Sequence, residues 1–246
     1  MRYLILSDIH SNWEALDAVA RDARGAYDQA LCCGDLVGYC GDPNAVVEWV
    51  RAHCALTIRG NHDRACAGIE ELEWFNPVAR AAAQWTALTL TPGNREFLRG
   101  LPKGPAKRDG FELAHGSTSD EDEYVLTPDE AFDAFSYIES RLVFFGHTHV
   151  QGGYVWNRDR VETIAGPSGR DNRMDMRMEA ECAYLVNPGS VGQPRDGDPR
   201  TAFAIYNSDS GVLTYRRAAY DVEGAQRKIL AAGLPEILAG RLAVGR

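Results

Sequence analysis

In the first third of the chain, short apolar runs alternate with amphipathic stretches, and the loop after each run carries an aspartate, asparagine or histidine. The runs cover residues 3–6, 30–33 and 55–58, each of strand length and bounded by polar or glycine-containing loops. Between them, Leu16, Val19 and Ala20 recur at helical spacing within 13–23, and Val46, Val47 and Val50 do so within 44–53. Strand, helix, strand, helix, strand demands right-handed crossovers and a parallel sheet with helices packed on it. The expected class is α/β.

A helix-rich section follows. Residues 77–90 are rich in alanine, with Trp85 and Leu88 among them, and Thr91-Pro92 supplies an N-cap and first-turn proline for a helix that Pro102 stops. Residues 111–114 resume as a strand. Thr127-Pro128-Asp129-Glu130 is a capping box for a helix to about residue 138, and 142–145 is a fully apolar strand. After Val150, short antiparallel strands are expected at 153–156, 183–186, 202–206 and 212–216. Residues 157–181, crowded with charge, glycine and proline, read as a mobile surface loop. Gly233-Leu234-Pro235 divides a tail of two helices. No repeat or linker splits the chain, so residues 1–246 are expected to form a single domain. Within it, 64–110 reads as a helical cap-like insertion and 222–246 as the helical tail.

The 26 Lys and Arg residues against 35 Asp and Glu give a net charge of −9. Such a chain is repelled on average by nucleic acid and anionic lipid, so a nucleic-acid polymer or a membrane is not an expected partner. The apolar run at 3–6 is far shorter than a signal-peptide core. Cys32 and Cys33 are adjacent, and Cys40, Cys54, Cys66 and Cys182 show no paired CxxC spacing. A reduced, soluble, cytoplasmic protein is the expectation; the oligomeric state is not legible.

Of the six histidines, only His53 lies away from a strand-to-loop junction. His10 is preceded by Asp8, and Gly34-Asp35 ends the second run. Gly60-Asn61-His62-Asp63 follows the third. His115-Gly116 and Gly146-His147-Thr148-His149 follow two later strands. Such loops converge on the ligand site of an open α/β sheet. An extended backbone with period two would send Asp8 and His10 to one side, and His147 and His149 likewise. Carboxylate, imidazole and amide oxygen form a mixed set suited to Mn, Fe, Co, Ni or Zn rather than to all-oxygen Ca or Mg sites.

The order Asp-x-His, Gly-Asp, Gly-Asn-His-Asp, His, Gly-His-x-His resembles the calcineurin-like metallophosphoesterase superfamily. Asn187-Pro188-Gly189-Ser190-Val191-Gly192 is similar to its small bacterial and archaeal YfcE-like phosphodiesterases. The resemblance implies a four-layer αββα sandwich and two divalent transition metal ions, manganese favoured. Asp8, His10, Asp35 and His149 would hold one ion. Asp35, Asn61, His115 and His147 would hold the other, with Asp35 shared and a bridging hydroxide as nucleophile. His62 would stand near the leaving group, as general acid or as hydrogen-bond donor to phosphate. Asp63 would either orient His62 or cap the segment that follows. The implied function is hydrolysis of phosphodiesters, and of phosphomonoesters too, in small phosphorylated substrates such as cyclic nucleotides. The alternatives are a phosphoprotein phosphatase, a nucleoside polyphosphate hydrolase, or a non-catalytic scaffold like the retromer subunit of this fold. One departure is that Gly38-Tyr39 follows Gly34-Asp35-Leu36-Val37 where phosphatases carry a phosphate-clamping arginine. Arg80, Arg170, Arg173 and Arg195 are candidate substitutes, each read first as a solvated surface residue. Trp74-Phe75 reads as packing or as pocket wall.

Overall fold

The computed structural model describes residues 1–246, except for the side chain of Trp74. β1 (Arg2–Leu6) and β2 (Gln29–Cys32) show why the opening runs are apolar throughout. Leu4, Leu6, Ala30 and Cys32 enter one core, while Tyr3, Ile5 and Leu31 enter another on the opposite face. Both faces are covered, so period-two alternation divides apolar residues between two cores. α1 (Trp13–Asp22) begins where Asn12 Oδ1 accepts the Ala15 N–H at 3.1 Å, a side-chain cap, and turns Leu16 and Val19 onto the sheet. α2 (Pro43–His53) does the same with Val46, Val47 and Val50, and β3 (Cys54–Thr57) then pairs parallel with β2.

The chain continues through α3 (Asn61–Ala67), a 3₁₀ turn at Leu72–Trp74, α4 (Pro77–Thr89), α5 (Pro92–Arg99), β4 (Ala106–Arg108), β5 (Phe111–Leu113), α6 (Pro128–Phe135) and β6 (Leu142–Phe144). β7 (Gly152–Trp156), β8 (Val161–Ala165), β9 (Arg173–Arg177), β10 (Ala183–Asn187), β11 (Thr201–Asn207) and β12 (Val212–Ala218) follow, and α7 (Val222–Ala231) and α8 (Glu236–Leu242) close the chain. One six-stranded sheet has the order β3-β2-β1-β11-β12-β9, the other β4-β5-β6-β10-β7-β8. Tyr3, Phe111, Phe144 and Tyr215 fill the space between them. α1 and α2 cover the outer face of the first sheet; α6 covers that of the second, with Ala131, Ala134 and Phe135 against Val143 and Leu185. The fold is the expected four-layer αββα sandwich.

Three segments depart from expectation. Residues 157–181 are not simply a loop: they contain β8, which extends the second sheet at β7, and β9, which extends the first at β12. In β9 the charges of Arg173, Asp175 and Arg177 face solvent while Met174 and Met176 pack on the inter-sheet core. Charge on one face of an edge strand is a normal guard against further pairing, and counted by composition alone it resembles a loop. β10, expected in an antiparallel set, pairs parallel with β6 and antiparallel with β7. Gly60-Asn61-His62-Asp63, expected as a strand-end loop, opens α3. In 64–110, expected as a helical cap-like insertion, Ala83, Leu90, Leu98 and Leu101 belong to the same core as α1 and β1. The helical tail packs Ile229, Leu238 and Leu242 with Ala79 and Ala82 of α4. All six cysteines are free, and among the described residues no helix is long and apolar enough to cross a membrane.

Candidate metal centre

The loops after β1, β2 and β3 meet those after β5, β6 and β10, and the motif residues stand in them. Close approach explains the motif glycines. A Cβ on Gly60 would lie 2.7 Å from Asp35 Cγ, and one on Gly146 would lie 2.8 Å from Asp8 Oδ2. The Asp35 carboxylate occupies that space at Gly60, and the Ser7 hydroxyl together with the Asp8 carboxylate does so at Gly146.

The paired residues converge, but not through extended backbone. Asp8, His10, Asp35, His147 and His149 all have φ between 49° and 65°. Left-handed backbone costs about 1–3 kcal/mol per non-glycine residue and persists where the surroundings over-determine it. Here they do. The amide of His147 donates to both Asp8 oxygens at 3.1 Å, that of Asp8 to Gly34 O at 3.0 Å, and that of His10 to Asp35 O at 3.0 Å. The late turn braces them: Ser190 Oγ donates to Asp8 O at 2.8 Å, and Asn187 Nδ2 donates to Gly146 O at 3.0 Å. Gly189, at φ 81°, takes the left-handed position expected of that turn.

Ligating atoms gather in two clusters, Asp8, His10, Asp35 and His149, and Asp35, His115 and His147, each within 4.8 Å. Asn61 joins the second, with Oδ1 3.3 Å from His115 Nε2. Asp35 links them. Its Oδ1 accepts the His62 amide at 2.9 Å, while Oδ2 lies 3.6 Å from His10 Nε2 and 3.4 Å from His115 Nε2. Each clustered imidazole is oriented by a backbone carbonyl. His10 Nδ1 donates to Val37 O at 2.9 Å, His115 Nδ1 to Cys33 O at 2.8 Å, and His149 Nδ1 to Gln193 O at 2.6 Å. His147 is reversed, giving its Nε2–H to Asp122 O at 3.1 Å. A carbonyl can only accept, so the tautomers are set and the other nitrogen faces the site as a lone pair, as for metal-ligating histidines.

These residues fit cations. His10 Nε2 and His149 Nε2 stand 3.1 Å apart, and burial keeps both rings well below the usual imidazole pKa. Two lone pairs so placed repel unless a positive charge is shared between them. At the other cluster, burial opposes charge on His115 and Asp35, but their attraction overrides it. His115 is raised to about 10, and Asp35 lies well below the usual carboxylate range. Burial pushes Asp8 up to about 6.

His62 lies beside the clusters, with Nε2 3.1 Å from the Tyr39 hydroxyl and Nδ1 buried without a partner. Burial holds its ring down to about 4. Asp63 does not orient it. Its Oδ2 accepts the Gly60 amide at 3.0 Å, and its Oδ1 accepts those of Leu36 and Val37 at 2.9 and 3.3 Å. It caps α3 and braces the loop after Asp35. His53 is remote and exposed, stacked on Trp49.

A cleft of about 450 Å³ opens over Asp35, Asn61, His147 and His149. Tyr39, Phe75, Tyr124, Arg64 and Arg195 form much of its wall. Of the four candidate arginines only Arg195 reaches it. Arg80 is spent on the carbonyls of Leu72, Glu73 and Phe75, Arg173 pairs with Asp175, and Arg170 lines a separate surface depression. Phase and spacing give no signal for Tyr39, Asp122 or Tyr124, which arrive from loops without a motif, or for Arg64, which follows the Gly60-Asn61-His62-Asp63 motif on α3. From 64–110, Arg64 and the part near 70–79 reach the cleft, and Trp74's side chain lies outside the described residues. A larger cavity of about 610 Å³ lies against the outer face of the second sheet and is not lined by either metal-ligating cluster.

A family model for the calcineurin-like phosphoesterase superfamily domain matches residues 1–211. An uncharacterized protein of Methanocaldococcus jannaschii is 34% identical over 256 residues, covering 98% of this chain and 97% of its own. Among solved structures, a metallophosphoesterase from Sphaerobacter thermophilus superposes with a TM-score of 0.87 at 37% identity, covering 100% of this chain and 99% of the other. A hypothetical protein from Pyrococcus horikoshii shares the fold at 19% identity, with a TM-score of 0.78 and coverage of 100% and 98%. Motif order, sandwich architecture and full-length likeness agree: this chain belongs to the calcineurin-like phosphoesterase superfamily.

Proposed function

We propose that the chain is a dinuclear-metal-dependent phosphoesterase. It cleaves phosphodiesters in small phosphorylated substrates, cyclic nucleotides among them, and accepts phosphomonoesters as well. The observation that carries this reading is Asp35, whose Oδ2 lies within 3.6 Å of a histidine nitrogen from each cluster and so can serve both ions. Asp8, His10 and His149 would complete one site, and Asn61, His115 and His147 the other. Two divalent transition ions, manganese favoured, supply Lewis acidity and a water ionised near neutrality when bound. A cleft of about 450 Å³ suits a small molecule better than a polymer.

The remaining work falls to the cleft wall. The Tyr39 hydroxyl stands 3.1 Å from His62 Nε2 and 3.4 Å from Arg195 Nη2, so three polar groups form a row. Among the described residues Arg195 has no carboxylate partner. It stacks its guanidinium 5.7 Å from the Tyr39 ring centre, and its Nε is buried without a hydrogen bond. Its charge is free to meet a phosphoryl oxygen. Arg195→Gln should therefore raise KM for an aryl phosphoester about 10- to 100-fold, the worth of a hydrogen bond to a charged group. Ion content should stay the same, as measured by metal analysis.

The overall reading is tested on chelator-stripped protein reloaded with Mn, Zn, Fe, Co, Ni or Mg. Each form is assayed on an aryl phosphodiester, an aryl phosphomonoester, cyclic nucleotides, a dinucleoside polyphosphate and a phosphopeptide. Hydrolysis of the diester with transition ions is expected. Protein that takes up ions but turns over none of these esters would be a scaffold instead.

A further inference from the structure

The two ion sites are not supported alike. His10, His115 and His149 lean on carbonyls of Val37, Cys33 and Gln193, which belong to the other site loops themselves. His147 leans on Asp122 O, in the irregular segment 117–124 between β5 and α6. That segment also lays the Tyr124 ring on the His147 imidazole, with centres 4.0 Å apart. It is folded tightly over Gly116, where a Cβ would lie 2.7–2.8 Å from the carbonyl oxygens of Asp120, Glu121 and Glu123.

What pins the segment is a cluster of charges. The Glu121 carboxylate is 5% exposed and accepts from Arg59 at 2.8 and 3.1 Å. Arg64 donates Nη1 to the same carboxylate and Nη2 to both Asp122 oxygens at 2.7 Å, and it lies 2.7 Å from Glu70. Arg64 belongs to α3, the helix that begins at the ligand Asn61. One rigid element therefore carries an amide ligand of the second site and also grips the segment that orients an imidazole ligand of that site.

We infer that Arg64 is a positioning residue for the second ion. Through Glu121 and Asp122 it holds the carbonyl and aromatic ring that orient His147. This rests on the two-ion reading above. Loosening the grip acts on the His147 ring, whereas the rings of His10 and His149 are oriented by Val37 O and Gln193 O outside the segment, so the two binding steps should separate.

The experiment is calorimetric titration of the chelator-stripped full chain with Mn²⁺ alone. Wild type is expected to bind two equivalents. Outer-shell partners of metal ligands are typically worth about 10–100-fold in affinity. Arg64→Gln should weaken the second step by about that factor and shift the first by less than about threefold. Glu121 keeps Arg59 in that variant, so its buried charge stays paired. Asp122→Asn, a half-exposed change that retains the backbone carbonyl, should weaken the second step by a smaller factor, and it decides the matter if Arg64→Gln fails to fold. Both steps weakening equally, or neither changing while wild type binds two ions, would overturn the inference and leave the two-ion reading standing. A wild-type chain that takes up one equivalent overturns both.

Discussion

Asp35→Asn is expected to release both metal ions and to abolish phosphoester hydrolysis. The asparagine oxygen can still accept the His62 amide, as Asp35 Oδ1 does at 2.9 Å. That choice turns an NH₂ group toward the space Oδ2 now holds between His10 and His115. A carboxylate shared by two cations becomes a neutral donor pointed at them. Outer-shell groups are worth about 10–100-fold in metal affinity, so a shared direct ligand should exceed that range at both steps. Metal analysis after dialysis should find neither ion retained, and hydrolysis of an aryl diester should fall by more than about 100-fold. Loss of one ion with the other held at wild-type affinity would show that Asp35 serves a single site.

His62→Ala is expected to separate chemistry from metal binding. Asp35 is held by the His62 backbone amide, not by its ring, so truncation leaves that hydrogen bond in place. What goes is an imidazole that touches the Tyr39 hydroxyl and has one nitrogen unpartnered. Burial holds the free ring down to about 4, so it meets substrate neutral. An arriving phosphoryl anion favours its protonation. Help of this kind typically contributes 10²–10⁴-fold. The loss should be largest for alkyl esters, whose leaving oxygens need a proton, and smallest for activated aryl esters. Two ions retained with a leaving-group-dependent loss in kcat is the expected pattern. An equal loss across leaving groups would assign His62 to holding the phosphoryl oxygens.

Asp63 shows how far residue type and spacing can mislead. A carboxylate next to a catalytic-type histidine is equally a helix cap in sequence, and only the tertiary structure reveals that both its oxygens are taken by backbone amides. Asp8 and His10 show a subtler case. They do share a side, as an extended strand would place them, yet each has a left-handed backbone that no periodicity announces. Composition failed at 157–181, where β9 alternates charged and methionine residues along one edge.

The sequence by itself determined the two-core strands, the helices between them and the order of the ligating residues. These are local properties, written in apolar periodicity, caps, and the glycines that clear space for carboxylates. Only the tertiary structure decided the cleft wall. Tyr39, Tyr124 and Arg195 come from loops and Arg64 from α3, at separate places in the chain, and they carry no spacing rule. Their partnership depends on which charges are already neutralised. Arg64 is gripped by Glu121 and Asp122, whereas Arg195 lies on Tyr39 and, among the described residues, has no carboxylate partner. That difference is set by packing across the sandwich, where neighbours in space are strangers in sequence.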